Sequence, residues 1–187
     1  MKPASIVALT LAAFAHAALA APLTIRTEGK VYVGEQPALA DSTISENSVV
    51  RTEDGRAEIR LTNSTLFLGE NSSVRITRDR PQILNGAAVI TTGKDAGAML
   101  CEDSVTLSSS GTFRVELHPL ATSQYGENEC RFKVYEGSAT VQLASLTASL
   151  VSGEKMDLNR RCGDMVPSEK FSVREPDALI DRVRKAK

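Results

Sequence analysis

The sequence predicts an all-β domain followed by one short C-terminal helix, and three observations carry that expectation. From Leu23 to about Val166 apolar residues recur at every second position in short runs. Gly, Asn, Asp and Ser separate the runs, as they do in the turns of antiparallel sheets. Only after Pro176 does the apolar spacing become helical.

The first twenty residues are set apart from the fold. Lys2 is followed by an apolar run from Ile6 to Leu19, and Ala18-Leu19-Ala20 has the small-residue pattern of a cleavage site. The run is shorter than the ~20 residues of a spanning helix and has no basic stop after it. The reading is residues 1–20 as a signal peptide, 21–166 as the β domain and 167–187 as a tail with a short helix. The mature chain is expected in the periplasm, or secreted, without a membrane span.

Val31 and Val33 alternate after Gly29, and the polar segment Asp41 to Ser48 leads to Val49-Val50. Ala57, Ile59 and Leu61 then point to one face while Glu58, Arg60 and Thr62 point to the other. Asn63-Ser64 suits a tight turn, because Asn tolerates the left-handed conformation. Leu66 and Leu68 resume the inward face, Gly69 to Ser72 turns again, and Val74 and Ile76 follow.

Further strands are expected at Ile83–Ile90, Ser104–Ser108, Gly111–Leu117 and Arg131–Tyr135, with a polar excursion from His118 to Glu129 before the last. Glu136-Gly137 reads as a turn. Ala139, Val141 and Leu143 form the partner alternation, and Leu146–Val151 and Met156–Leu158 complete the strands. In the tail, Leu179, Ile180 and Val183 share a helical face, Pro176 or Asp177 suits the start, and Arg182, Arg184, Lys185 and Lys187 complement the C-terminal end of the helix dipole.

The chain has 187 residues, 42% hydrophobic but only 4% aromatic, with a formal net charge of -1. That suits one aliphatic core, and the near-neutral charge, with no basic stripe, argues against nucleic acid as a partner. Cys101, Cys130 and Cys162 are an odd number, so export allows at most one intramolecular bridge. The three pairings stay open; Cys130 with Cys162 is the favoured one, and a loop of that length would contribute ~3 to 4 kcal/mol in the chain-entropy estimate. Outside the leader His118 is the only histidine, and the cysteines lack zinc-knuckle spacing, so neither metal nor cofactor is expected.

Candidate chemistry is sparse. Ser108-Ser109-Ser110-Gly111 has no nucleophile elbow around it and reads as a strand edge or turn. Glu102-Asp103 and Glu127 with Glu129 are neighbours in sequence, which does not place two carboxyl groups across a sugar site. The excursion, with Tyr125 and Glu127, is the expected partner contact, since loops on a rigid sheet commonly carry recognition.

In order along the chain, Gly29-Lys30-Val31-Tyr32-Val33, Val50-Arg51-Thr52 with Gly55 to Leu61, Leu66-Phe67-Leu68-Gly69, Ser73 to Ile76, Gly111 to Val115, Val134 to Val141 and Leu150 to Glu154 resemble the FecR domain. That family supplies periplasmic sensory modules to regulators of iron uptake and also occurs in exported stand-alone proteins. Asn63-Ser64-Thr65 departs from its usual Asp-Gly-Ser turn. A cleavable leader stands where full-length regulators carry an anti-sigma segment and a membrane helix, so signalling to a sigma factor is not carried over.

The resemblance implies a solenoid-like or sandwich-like β domain without catalytic residues. It would bind an envelope protein or cell-wall component through loops and strand edges, in a sensing or assembly role. The alternatives are a structural module of an envelope or secretion assembly and a carbohydrate-active enzyme of the envelope.

Overall fold

The computed structural model describes residues 22–77, 80–100, 105–119, 128–159 and 164–186. The leader, Cys101, Cys162, Tyr125 and Glu127 lie outside the described residues, as do Glu102 and Asp103.

Eight short strands come first: β1 (Leu23–Glu28), β2 (Val31–Val33), β3 (Gln36–Pro37), β4 (Ser42–Ile44), β5 (Val49–Thr52), β6 (Arg56–Arg60), β7 (Ser64–Leu68) and β8 (Ser73–Arg75). Three long strands follow, β9 (Gln82–Leu100), β10 (Val105–Pro119) and β11 (Asn128–Leu143). Last come β12 (Leu146–Val151), β13 (Glu154–Asn159), β14 (Asp164–Met165), β15 (Glu169–Lys170) and helix α1 (Ala178–Ala186). All pairings among the described strands are antiparallel, along the path β14-β13-β11-β10-β9-β7-β6-β1-β4.

The long strands fold this sheet over itself. β9 pairs with β8 at its start and with β7 over Ala88–Thr92, while β11 pairs with β13 near its start and with β12 over Ser138–Leu143. The end of β9 comes back to its own beginning, where Met99 N–H donates to the Pro81 carbonyl at 3.0 Å. One layer is thus β4-β1-β6-β7 continued by parts of β9, β10 and β11 and by β13. The other holds β3-β2-β5-β8, the remaining halves of the long strands, and β12.

Between the layers lies a mainly aliphatic core that also holds Phe113 and Phe132. It joins Ile25, Ile59 and Leu66 of the first layer to Val50, Val74, Leu107, Val141 and Leu150 of the second, all buried. This is the sandwich-like form of the expected fold, with strands passing between layers at bends.

Several expected boundaries differ. Ser108 to Gly111 and Glu136-Gly137 lie inside continuous strands and are not turns. Gly111 faces Gly137 across the β10–β11 pair, at φ 122° and 76°. A Cβ on Gly137 would stand 1.9 Å from the Ser110 carbonyl oxygen, so only hydrogen fits where the two backbones cross the bend.

Beside them the register skips Tyr135, since Thr112 pairs with Glu136 and Phe113 with Val134. This bulge reverses the inward alternation, so Phe132 and Val134 face the core in one layer and Ala139, Val141 and Leu143 in the other. The polar excursion is also shorter than expected. His118 pairs with Glu129, and Pro119 with Asn128, as backbone partners within the sheet. The polar segment Asp41 to Ser48 holds β4, which pairs with β1.

The helix forms at the expected place. Asp177 is its N-cap, accepting at Oδ1 from the Leu179 and Ile180 N–H groups at 3.0 and 3.2 Å. Asp181 sits in its first turn and Arg184 and Lys185 in its last, signs that favour the helix dipole. Leu179, Ile180 and Val183 bury against Phe67, Val89 and Tyr135 on the outer face of the first layer.

Candidate functional site

Two features of the surface offer binding geometry: a trench beside α1 and the free edge of β12. The trench, about 460 Å³, crosses the outer face of the first layer at the start of the helix. Arg56, Glu70, Glu116, Lys133, Tyr135 and Asp177 line it.

Its centre is Asp177, a buried carboxylate whose Oδ2 accepts from the Tyr135 hydroxyl at 2.9 Å and from Arg114 Nη1. The bulge directs Tyr135 to this side of the sheet. Burial alone would raise the Asp177 carboxyl, but the Ile180 N–H, the Tyr135 hydroxyl and the Arg114 guanidinium outweigh it, and the group is held below its ordinary value. Tyr135 moves upward, first through burial and then through its bond to Asp177.

Other charged groups of the trench have partners within the chain. Arg114 Nε lies 2.6 Å from Glu116 Oε1, in an ion contact that is not aligned as a hydrogen bond. Arg56 donates to Glu70 at 2.9 Å, and the Lys133 ammonium sits 5.6 Å from the Phe171 ring centre. Arg114 and Tyr135, through Asp177, fasten the helix to the sheet, and Arg56 and Glu70 neutralise each other.

The β12 edge is different. β12 pairs only with β11 among the described strands, through a two-residue turn at Ala144-Ser145 with Ala144 at φ 49°. Leu143 and Leu146 close that turn, and antiparallel alternation then aims Leu146, Ala148 and Leu150 backbone groups at β11. The N–H and C=O groups of Thr147 and Ser149 therefore point away from the sheet. At Val151 the outward N–H is taken by Glu154 Oε2 at 2.9 Å, which closes that end.

Other edges are blunted. β3 carries Pro37, β14 and β15 have two residues each with Asp164, Glu169 or Lys170, and β4 has three residues beside Asp41. Short length, proline and charge are the usual protections of an edge. β12 has six residues without charge or proline, and Leu146 and Val151 are each 51% exposed.

Of the residues singled out in sequence, Tyr125, Glu127 and Cys162 lie outside the described residues. Cys130 is a buried free thiol facing the core, raised to about 12 by burial and then by the Asp157 carboxylate. Thr147 and Ser149 were not singled out in sequence. The signal available was an uncharged alternation, Leu146 to Val151, closing a hairpin, but it marks a strand without showing that the strand is outermost.

No protein-family model matches the sequence, and no curated protein matches it. Among solved structures, two crystal structures of a putative anti-sigma factor from Parabacteroides distasonis share the fold. One superposes with a TM-score of 0.54 at 11% identity, over 68% of this chain and 61% of that one. The other gives 0.53 at 12% identity, over 67% and 60%. The chain spans about three-fifths of the length of these neighbours. At such identity the likeness establishes a shared all-β fold.

Proposed function

We propose that this chain is an exported, non-enzymatic binding module of the FecR-domain type, acting in sensing or assembly at the cell envelope. It takes a partner protein by strand addition on β12. The open, uncharged edge at Thr147 and Ser149 carries this reading, because two free pairs of backbone groups flanked by exposed Leu146 and Val151 are what an added strand needs. The leader pattern of residues 1–20 supports an envelope location, periplasmic or secreted. A fold shared with proteins described as anti-sigma factors supports a regulatory role over a catalytic one.

The test is capture in the periplasm with a photo-crosslinking residue in place of Thr147, with bound proteins and glycans identified by mass spectrometry. One enriched envelope protein, lost when Ser149→Pro removes an outward N–H, is the expected result. Capture indifferent to that proline, or processed glycan fragments without a stable partner, would overturn the proposal.

A further inference from the structure

We infer that the β12 edge is covered, in the absence of another partner, by the β12 edge of a second copy of this chain, paired antiparallel about Ala148. The inference rests on the reading that β12 accepts a strand, and it names the strand that occupies it at rest. It also supplies the protection that the other edges carry in their own sequence.

The geometry selects both the occupant and the register. Glu154 has already taken the Val151 N–H, so Thr147 and Ser149 are the β12 residues that keep both an outward N–H and an outward C=O to pair. A second copy presents the same two residues. Run antiparallel about Ala148, Thr147 of each copy faces Ser149 of the other, and four hydrogen bonds use all of these groups while the Val151–Glu154 contact stays intact.

A register centred on Ser149 would need the Val151 N–H and would break that contact. In the Ala148 register Leu146, half exposed, stands opposite Leu150 of the other copy, so the apolar face of the second layer continues across the junction. Neither β12 strand contains a charged residue, and in this antiparallel register the two Glu154 carboxylates stand at opposite ends of the junction, so no like-charge contact opposes the pairing. The contact is small, which places it among weak, concentration-dependent interfaces.

At the two-fold axis the two Ala148 residues form a non-hydrogen-bonded pair, with Cα atoms about 4.5 Å apart, within the range a disulfide spans. In a parent with Cys101→Ser and Cys162→Ser, Ala148→Cys is therefore expected to give a disulfide dimer under mild oxidation. Ser149→Cys, which would face Thr147 of the other copy, should crosslink at least about tenfold more slowly. Adding Thr147→Pro, which deletes an outward N–H and leaves the bonds to β11 intact, should abolish the Ala148→Cys dimer. Sedimentation of the unaltered protein should show a concentration-dependent dimer that Thr147→Pro abolishes.

A chain that stays monomeric at high concentration, or that crosslinks equally at positions 148 and 149, overturns the inference. If the envelope partner is nevertheless captured in a proline-sensitive way, the proposed function survives that result. A dimer with the expected crosslink pattern but no proline-sensitive envelope partner sustains the inference and removes the proposed function.

Discussion

Replacing Asp177 by Ala tests how the helix is held to the sheet. The substitution deletes a cap that accepts from two helix N–H groups, a loss of about 1 kcal/mol. It also leaves the Tyr135 hydroxyl without its partner at a residue 5% exposed, which costs a further ~1 to 3 kcal/mol. Arg114 keeps Glu116 at 2.6 Å, so no buried charge is orphaned. The expected total is about 2 to 4 kcal/mol, or a fall in Tm of roughly 5 to 15 °C for a chain of this size.

Calorimetry and circular dichroism at neutral pH would read it. Tyr135→Phe alone should cost about 1 kcal/mol, and the double variant should lose less than the sum of the two, with a coupling of roughly 0.5 to 2 kcal/mol. The Asp177 carboxyl is lower in the folded state than its ordinary 3.8, so its contribution is complete above that value and is lost as pH falls through the folded one. The gap between parent and Asp177→Ala should thus be constant near neutrality and narrow in acid. A loss within about 0.5 kcal/mol, as for an ordinary surface change, or strict additivity with Tyr135→Phe, would refute the network.

Three other outcomes follow from the fold. Thr52 Oγ1 donates to the Gly69 carbonyl at 2.6 Å and accepts from Ser72 N–H at 2.9 Å, so Thr52→Val should destabilise by ~1 to 3 kcal/mol in denaturant titration. Gly137→Ala should leave little folded protein by proteolysis and thermal melting, because its Cβ would meet the Ser110 carbonyl at 1.9 Å; a parent-like melt would disprove the crossing. Cys130, buried and raised to about 12, should be silent toward thiol reagents in the native protein at mildly alkaline pH and react on unfolding. A thiol that stays blocked after unfolding until reductant is added would instead reveal a disulfide, whose partner, Cys101 or Cys162, peptide mapping would name.

Much of this structure is legible residue by residue. Ala57, Ile59, Leu66, Leu68, Phe113, Val115 and Leu158 all lie on the buried face that their alternation assigns, and Leu179, Ile180 and Val183 bury together behind an Asp177 cap. These features depend on side chains, and side-chain polarity is written locally. The long strands were less legible, because Gly, Ser and Glu-Gly pairs signal turns wherever they occur. Gly111 and Gly137 mark a bend only once they are opposite each other.

The sequence by itself determined which residues face inward and where the helix starts. Tertiary structure decided the order of strands, the reversal of alternation at Tyr135, the meeting of Arg114, Tyr135 and Asp177, and the exposure of β12. The physical reason is that strands are joined by backbone N–H and C=O groups common to nearly every residue, so pairing leaves little trace in residue identity. Which edge remains open is settled only when every other strand has found its neighbours.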